Sequence, residues 1–346
     1  MIMSDAALVG KLRCVACGNA PVRYEGVDKI VCEACGHAYL KRNGVWDLIR
    51  LTDDSQTRIQ EFWDDLCRQL YAGHEELTAE RLSFLLDELK VLLKNFEQPL
   101  GQEIDLNALK GLDVLEIGCG AGAHSSLMKK AGARIVSMDL TPSRVVATQA
   151  KLALLKEGEG MAVGGNAERL PFRDEAFDLV YSFGVLHHTT DTEAAIKEVH
   201  RVLRPRGRAV VMLYAKRSFY YYVNLLLLKG LLMGGLLRGR DWIGPVTEGK
   251  PKFGTVPNPH TRCYTRGELR EMFAAFSRVD IRQNAFAFGQ VPKLGALIEH
   301  WMVRRGLCTE NEGGRLIWDK PLRTLLPIEV KLGRVMGFGY DIDAVK

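Results

Sequence analysis

Within the 346-residue sequence, residues 1–12 lack a long hydrophobic core of the kind a secretory signal needs. It carries little net charge, +5 in all, so the total points to neither nucleic acid nor a charged membrane surface. It also lacks the pattern of a disulfide scaffold, because four of its eight cysteines crowd into residues 14–35 and the rest are scattered. With 47% hydrophobic and 26% charged residues, it is far from a disordered composition. What remains is a folded protein expected in the reducing cytoplasm. Its length suits one large domain with attachments, or two domains.

An uninterrupted membrane span is missing as well. The strongly apolar stretch 219–237 is nineteen residues long, barely enough for a bilayer, and Asn224, Lys229 and three glycines interrupt it. A lid helix buried against the core is the first reading. An interfacial helix is the second, bordered by aromatics at 219–222 and by Lys216, Arg217, Arg238 and Arg240; it would bring peripheral membrane contact. The basic excess sits here too. Between Arg201 and Lys252 there are eleven Lys/Arg against only Asp241 and Glu248.

What is present begins with Cys14-x-x-Cys17 and Cys32-x-x-Cys35, separated by fourteen residues and each followed by a glycine. Four thiolates at this spacing suit a tetrahedral structural zinc site, with short strands at 22–24 and 29–31 setting the knuckles side by side. Further strand-like stretches at 38–40 and 44–48 extend this module, so residues 1–50 are expected to form a small β zinc ribbon. Residues 51–109 turn helical, with Ile59, Phe62, Trp63, Leu66 and Leu70, then Leu82, Leu85, Leu86, Leu89, Leu92, Leu93 and Phe96, at three- and four-residue spacing. These helices are expected to pack on the following domain; covering the substrate is the other role open to one of them.

From residue 110 strand-like runs alternate with helical ones, at 114–117, 135–139, 161–164, 177–182 and 209–213. That alternation specifies an α/β fold, a parallel sheet with helices on both faces, whose ligands bind at the carboxyl ends of the strands. At the end of the first run stands Glu116-Ile117-Gly118-Cys119-Gly120-Ala121-Gly122-Ala123. Its glycines permit a sharp turn and close approach of a ligand to the main chain, and the helix behind it presents unpaired N–H groups. The same residues satisfy a dinucleotide fingerprint, with Asp139 about where a ribose-binding acid belongs. Glu116 tilts the choice, because a carboxylate there favours a cationic ligand over a pyrophosphate.

The later motifs decide. Asp139-Leu140-Thr141-Pro142, then 165–172 (GNAERLPF), 176–182 (AFDLVYS), Val185-Leu186-His187-His188 and 202–208 (VLRPRGR) follow in order. Together with the glycine turn these resemble class I S-adenosylmethionine-dependent methyltransferases over about residues 110–214. The first fifty residues resemble zinc modules fused to, or partnering, RNA- and protein-modifying methyltransferases. The resemblance implies a Rossmann-like seven-stranded methyltransferase sheet over 110–346, with substrate-side insertions at about 216–262 and 289–338. Its two antiparallel strands should come from 278–288 and 339–346.

It also implies roles at matching positions. Glu116 would stand near the methionine end of S-adenosylmethionine or support the loop. Gly118, Cys119, Gly120 and Gly122 would give the close main-chain surface. Asp139, with Leu140 beside it, would accept both ribose hydroxyls. Asn166, where the family more often has Asp, and Ala167 would read the adenine edge. Ser182 and Phe183 would lie near the transferred methyl, while Asp178 would be structural. His187 and His188 are the candidate bases, with His260 and Tyr264 weaker candidates; the other reading of both histidines is packing at a helix start. Methyl transfer is an in-line displacement in which holding the acceptor close and aligned supplies most of the rate. The expected acceptor is a small or lipid-like molecule of quinone or natural-product type. An RNA acceptor is the alternative, drawn from the zinc module and the basic stretch, and a non-catalytic binding module the third.

Overall fold

The structure, a computed structural model, describes the chain except residues 19–20, 71–76, 240 and 249–256; the side chains of 67–70 and 238 also lie outside it. Arg238, Arg240, Lys250 and Lys252 of the basic stretch therefore fall outside the described side chains.

Strands β1 (Val22–Tyr24), β2 (Lys29–Cys32), β3 (Ala38–Arg42) and β4 (Val45–Asp47) form an antiparallel meander. Then come β5 (Asp113–Ile117), β6 (Arg134–Asp139), β7 (Glu159–Gly164), β8 (Phe177–Phe183) and β9 (Leu203–Tyr214), with helices or turns between. Next is β10 (Arg278–Asn284), then a small ladder of β11 (Glu310–Asn311) and β12 (Leu322–Arg323), and last β13 (Gly339–Val345). Every residue of β5 is buried, as a strand covered on both faces must be. Strands β7, β6, β5, β8 and β9 lie side by side in parallel, and β13 runs antiparallel between β9 and β10. These seven strands form the α/β sheet that the resemblance implies, with strand order reversing at β5. Ligands of such sheets sit outside the strand ends at that reversal.

One relationship was not expected. The N-terminal meander is continuous with the main sheet, because β4 pairs in parallel with β7, Trp46 opposite Val163 and Asp47 opposite Gly164. Leu48 N–H donates to the Gly164 carbonyl at 3.0 Å and extends the ladder. Without β4 the β7 edge would present a row of unpaired main-chain groups, a feature folded proteins cover. The meander is also tied beyond that edge: Arg13 N–H donates to Pro171 O (3.0 Å) and Arg173 N–H to Lys11 O (2.8 Å). One apolar cluster accordingly runs from Leu12, Tyr39 and Trp46 through Val136 and Phe172 to Tyr340.

On the other face lies the helix Ala79–Asn95, whose Leu82, Leu85, Leu86, Leu89, Leu92 and Leu93 form one buried stripe. Burying each is worth about 1.5–3 kcal/mol, which is why this helix stays docked. Thr78 caps its start, accepting from Arg81 N–H at 3.2 Å.

The apolar stretch after β9 forms a wide, π-type helix, Tyr220–Leu232. It buries Tyr221 and Leu225 against Trp242 and Phe338, and buries Asn224, which donates to Gln290 O (2.8 Å), but leaves Tyr222, Leu227, Leu231 and Leu232 exposed. The packed side matches the lid reading; the exposed side does not. Among the described residues no helix is long and apolar enough to cross a membrane.

Candidate active site

A cavity of about 520 Å³ opens over the carboxyl ends of β5, β6 and β8, within the size range of small-molecule sites. Its floor is the glycine turn. Gly118 has φ +76°, and a Cβ there would fall 2.2 Å from a methyl of Val185. Gly122, also left-handed at φ +83°, starts the helix Ala123–Lys130, and a Cβ there would meet the Thr148 hydroxyl at 2.9 Å. Both positions thus need glycine for conformation and for space. Asp139, at the end of β6, pins the turn: its carboxylate accepts from Gly120 N–H (3.0 Å) and Thr141 N–H (2.9 Å). Thr141 stands at the start of the next helix but its side chain makes no cap there.

Glu116 is buried at the cavity wall and accepts from the Ser125 hydroxyl. Burial pushes its carboxyl up to about 8, against the opposing pull of that hydroxyl. Cys119 and Leu140 also line the cavity, the Cys119 thiol lying 3.4 Å from the Thr148 hydroxyl. Asn166 and Ala167 line it as well. The Asn166 amide oxygen accepts from Glu168 N–H (3.0 Å) and its nitrogen reaches Arg50 O (3.4 Å). Phe183 lines the cavity, whereas Ser182 lies behind it, fully buried and donating to Ile117 O at 3.0 Å. Asp178 accepts from Asp113 N–H (2.8 Å) and pairs with Arg204 at the far end of the sheet.

The two adjacent histidines part company. His187 is fully buried outside the cavity lining, its ring 3.7 Å from that of Tyr214, with neither ring nitrogen partnered among the described residues. Burial holds it well below the ordinary imidazole range. His188 faces the cavity. Its Nδ1 lies 3.0 Å from the Thr261 hydroxyl and 3.2 Å from His260 O, and a carbonyl can only accept, so the Nδ1–H tautomer fits. Nε2 is then left with a lone pair and no hydrogen-bond partner among the described residues. Burial lowers His188 to about 3, so its imidazole is neutral. Of the weaker candidates, Tyr264 is spent on the Thr192 hydroxyl (2.8 Å), and His260 sits in the loop that holds His188.

Other lining residues carried no motif. The helix Asp54–Leu70 roofs the cavity with Gln56, Ile59, Trp63 and Leu66. Three polar links seat it: Gln56 to Glu168 (2.7 Å), Gln60 to Leu140 O (2.7 Å), and the Ser143 hydroxyl to Asp64 (2.5 Å). The spacing of Ile59, Trp63 and Leu66 signalled an apolar face but not what it covers. His124, in the first turn after the glycines, bonds Tyr181 through Nδ1 (3.2 Å) and lines the cavity, its Nε2 unpartnered among the described residues. Tyr214, Met212, Thr247, Glu248, Leu316 and Trp318 complete an aromatic and apolar chamber beside His188. A methyl donor of nucleoside and amino-acid parts fits the other half: carboxyls for a cation and a ribose, and a close main-chain turn.

The four clustered cysteines form a second centre. Their sulfurs all lie within 4.8 Å of one another, with Cys14–Cys35 at 3.7 Å and Cys17–Cys32 at 3.6 Å. Four ligands about 2.3 Å from a tetrahedral zinc stand about 3.8 Å apart, so the donor set fits that ion. Main-chain N–H groups of Ala16 and Cys35 point at Cys14 and Cys32 sulfurs (3.3 and 3.4 Å), as suits thiolates.

Residues 115–211 match the family model described as a methyltransferase domain. A ubiquinone biosynthesis O-methyltransferase of Azorhizobium caulinodans is 31% identical over 154 residues, 44% of this chain and 56% of that one. A demethylmenaquinone methyltransferase of Mycolicibacterium paratuberculosis is 37% identical over 109 residues, 31% of this chain and 44% of that one. The chain spans about half the length of these curated relatives. Among solved structures, magnesium protoporphyrin IX methyltransferase from Synechocystis superposes with TM-score 0.46 at 14% identity, covering 84% of this chain and 99% of that one.

Proposed function

We propose that this protein is an S-adenosylmethionine-dependent methyltransferase acting on a small, apolar acceptor of quinone type. The observation that carries the reading is the divided cavity, with the glycine turn, Glu116 and Asp139 in one half and an aromatic chamber around His188 in the other. S-adenosylmethionine supplies a methyl carbon activated by attachment to a sulfonium sulfur. Glu116 suits its ammonium, Asp139 its ribose hydroxyls, and Asn166 and Ala167 its adenine edge. Trp63, Phe183 and Tyr214 suit a planar acceptor and exclude water from the line of transfer. His188, with Nε2 open to the cavity, takes the acceptor's proton; His187, outside the lining, does not.

The quinone class gains support from the names of the two relatives and from the apolar chamber. The basic stretch lends little to an RNA acceptor. Arg201 pairs with Glu198 and Asp174, Arg204 with Asp113 and Asp178, and Arg208 with Asp343, so these charges are already paired within the chain. A structural zinc held by Cys14, Cys17, Cys32 and Cys35 completes the reading. Calorimetry with S-adenosylmethionine tests it: a dissociation constant of about micromolar order is expected for a cofactor site, and no heat with metal-loaded protein would refute it.

A further inference from the structure

Glu248 belongs to no motif and follows the short helix Ile243–Thr247, yet its carboxyl reaches the cavity beside His188. Oε1 of Glu248 accepts the Tyr214 hydroxyl at 2.9 Å and stands 3.7 Å from Nε2 of His188. Four separate elements meet here. His188 comes from the turn after β8, Tyr214 from the end of β9, Glu248 from the insertion, and Trp63 from the roof helix, its ring 4.8 Å edge-on from that of His188. Both side chains of the pair are nearly closed off from solvent, 5% and 16% exposed.

We propose that Glu248 and His188 act together as the base, Nε2 of His188 taking the proton from a hydroxyl-bearing methyl acceptor and the Glu248 carboxylate stabilising the imidazolium, with Tyr214 fixing the carboxyl in place. The proposal rests on the methyl-transfer reading of the same cavity. In the step, the acceptor oxygen bonds to the methyl carbon as that carbon's bond to sulfur breaks, the electron pair remaining on sulfur. The acceptor's proton passes to Nε2 of His188, and the imidazolium so formed faces the Glu248 carboxylate. Nδ1 stays bonded to the Thr261 hydroxyl and His260 O, so the ring need not turn.

A lone imidazole in this chamber would be a poor base. Burial works against its protonation, and the neighbouring charges of His260 and Arg144 add to that. Burial acts in the opposite sense on Glu248, raising its proton affinity, while the Tyr214 hydroxyl, Lys229 and Arg144 pull it back. Burial thus weakens the imidazole's hold on a proton and strengthens the carboxyl's, so an imidazolium at His188 depends on the carboxylate beside it. His187 packs on both rings of the site, and burial keeps it neutral, so it adds no charge. Asp241 lies 3.6 Å from His260 and acts only at one remove.

Two variants and two readouts test this. Ring-nitrogen NMR of the donor-free protein follows the His188 titration without any turnover. Glu248→Gln should lower the pH of that step by about 1 unit or more, the usual effect of removing an opposite charge within about 4–6 Å. In methyl transfer to catechol, used as the probe acceptor, activity should fall as pH drops through the titration of the pair. Glu248→Gln should move that acidic limb to lower pH and reduce kcat. Tyr214→Phe keeps the carboxyl but removes its hydrogen bond, and should move the limb to higher pH; this variant carries the test if Glu248→Gln fails to fold. A purely structural role would not shift the limb in opposite directions. An unchanged His188 titration in Glu248→Gln, or limbs moving the same way in both variants, would overturn the proposal. Absence of transfer by the wild type to any acceptor would instead count against the methyltransferase reading, leaving the NMR result to judge the pair.

Discussion

The Asp139 carboxylate accepts the Gly120 amide at 3.0 Å, so the residue proposed to hold the donor's ribose also holds the turn that cradles the donor. Its second oxygen accepts Thr141 N–H at 2.9 Å and orients the carboxylate toward the cavity. Hydrogen bonds to a charged group are worth about 1.5–3 kcal/mol each. Asp139→Ala should therefore weaken S-adenosylmethionine binding by about 100-fold, read by calorimetry. An affinity within a few-fold of wild type would show that the carboxylate does not serve the donor.

Glu116 makes a separate prediction through its proton. Burial pushes its carboxyl up from 4.5 to about 8, so near pH 7 the donor-free protein holds it mostly protonated. A cationic ligand beside it favours the carboxylate, and a proton leaves as the donor binds. Binding enthalpy measured at pH 7 in buffers of different ionisation enthalpy should reveal release of up to about one proton, shrinking above pH 8. Glu116→Gln should abolish the buffer dependence. Equal enthalpies in all buffers would place the donor's charge elsewhere.

The neighbouring histidines should separate cleanly. His188→Asn is expected to lower kcat by about 10²–10⁴-fold, the usual contribution of a positioned base, with donor affinity kept. His187→Ala leaves a space against Tyr214, so its expected cost is stability, about 1–3 kcal/mol in chemical denaturation, with the form of the pH profile retained. The opposite pattern would exchange their roles.

Metal content tests the N-terminal centre. Freshly purified protein should carry one zinc by mass spectrometry, lost on Cys14→Ser with Cys17→Ser. Because β4 pairs with β7 next to the strand end bearing Asn166, loss of metal should also raise amide exchange at Leu48 and Gly164. Protein purified without zinc yet with those amides protected would refute the assignment.

The residues proposed for the donor were legible as a group in the sequence because they are local. A buried strand, a glycine turn and an acid at the next strand end carry a spacing that survives without tertiary information. The residues proposed to receive the acceptor are assembled from distant segments, and no spacing records that Trp63, His188, Tyr214 and Glu248 meet. His187 and His188 are neighbours in a short turn, so only the turn's orientation separates a packed ring from one that faces the cavity. Ser182 shares that lesson, since alternation along β8 turns it to Ile117 and turns Phe183 to the cavity. The β4–β7 pairing spans two residue pairs, too few to leave a pattern beyond a fully buried Trp46.

The most direct measurement is the fate of a radiolabelled methyl group. Metal-loaded protein is incubated with methyl-labelled S-adenosylmethionine and a fractionated cell extract, and the label is counted in lipid, small-molecule, RNA and protein fractions. Label in the solvent-extractable quinone fraction, lost with Asp139→Ala and His188→Asn, is the expected result. Label confined to RNA or protein, or no transfer at all, would contradict it.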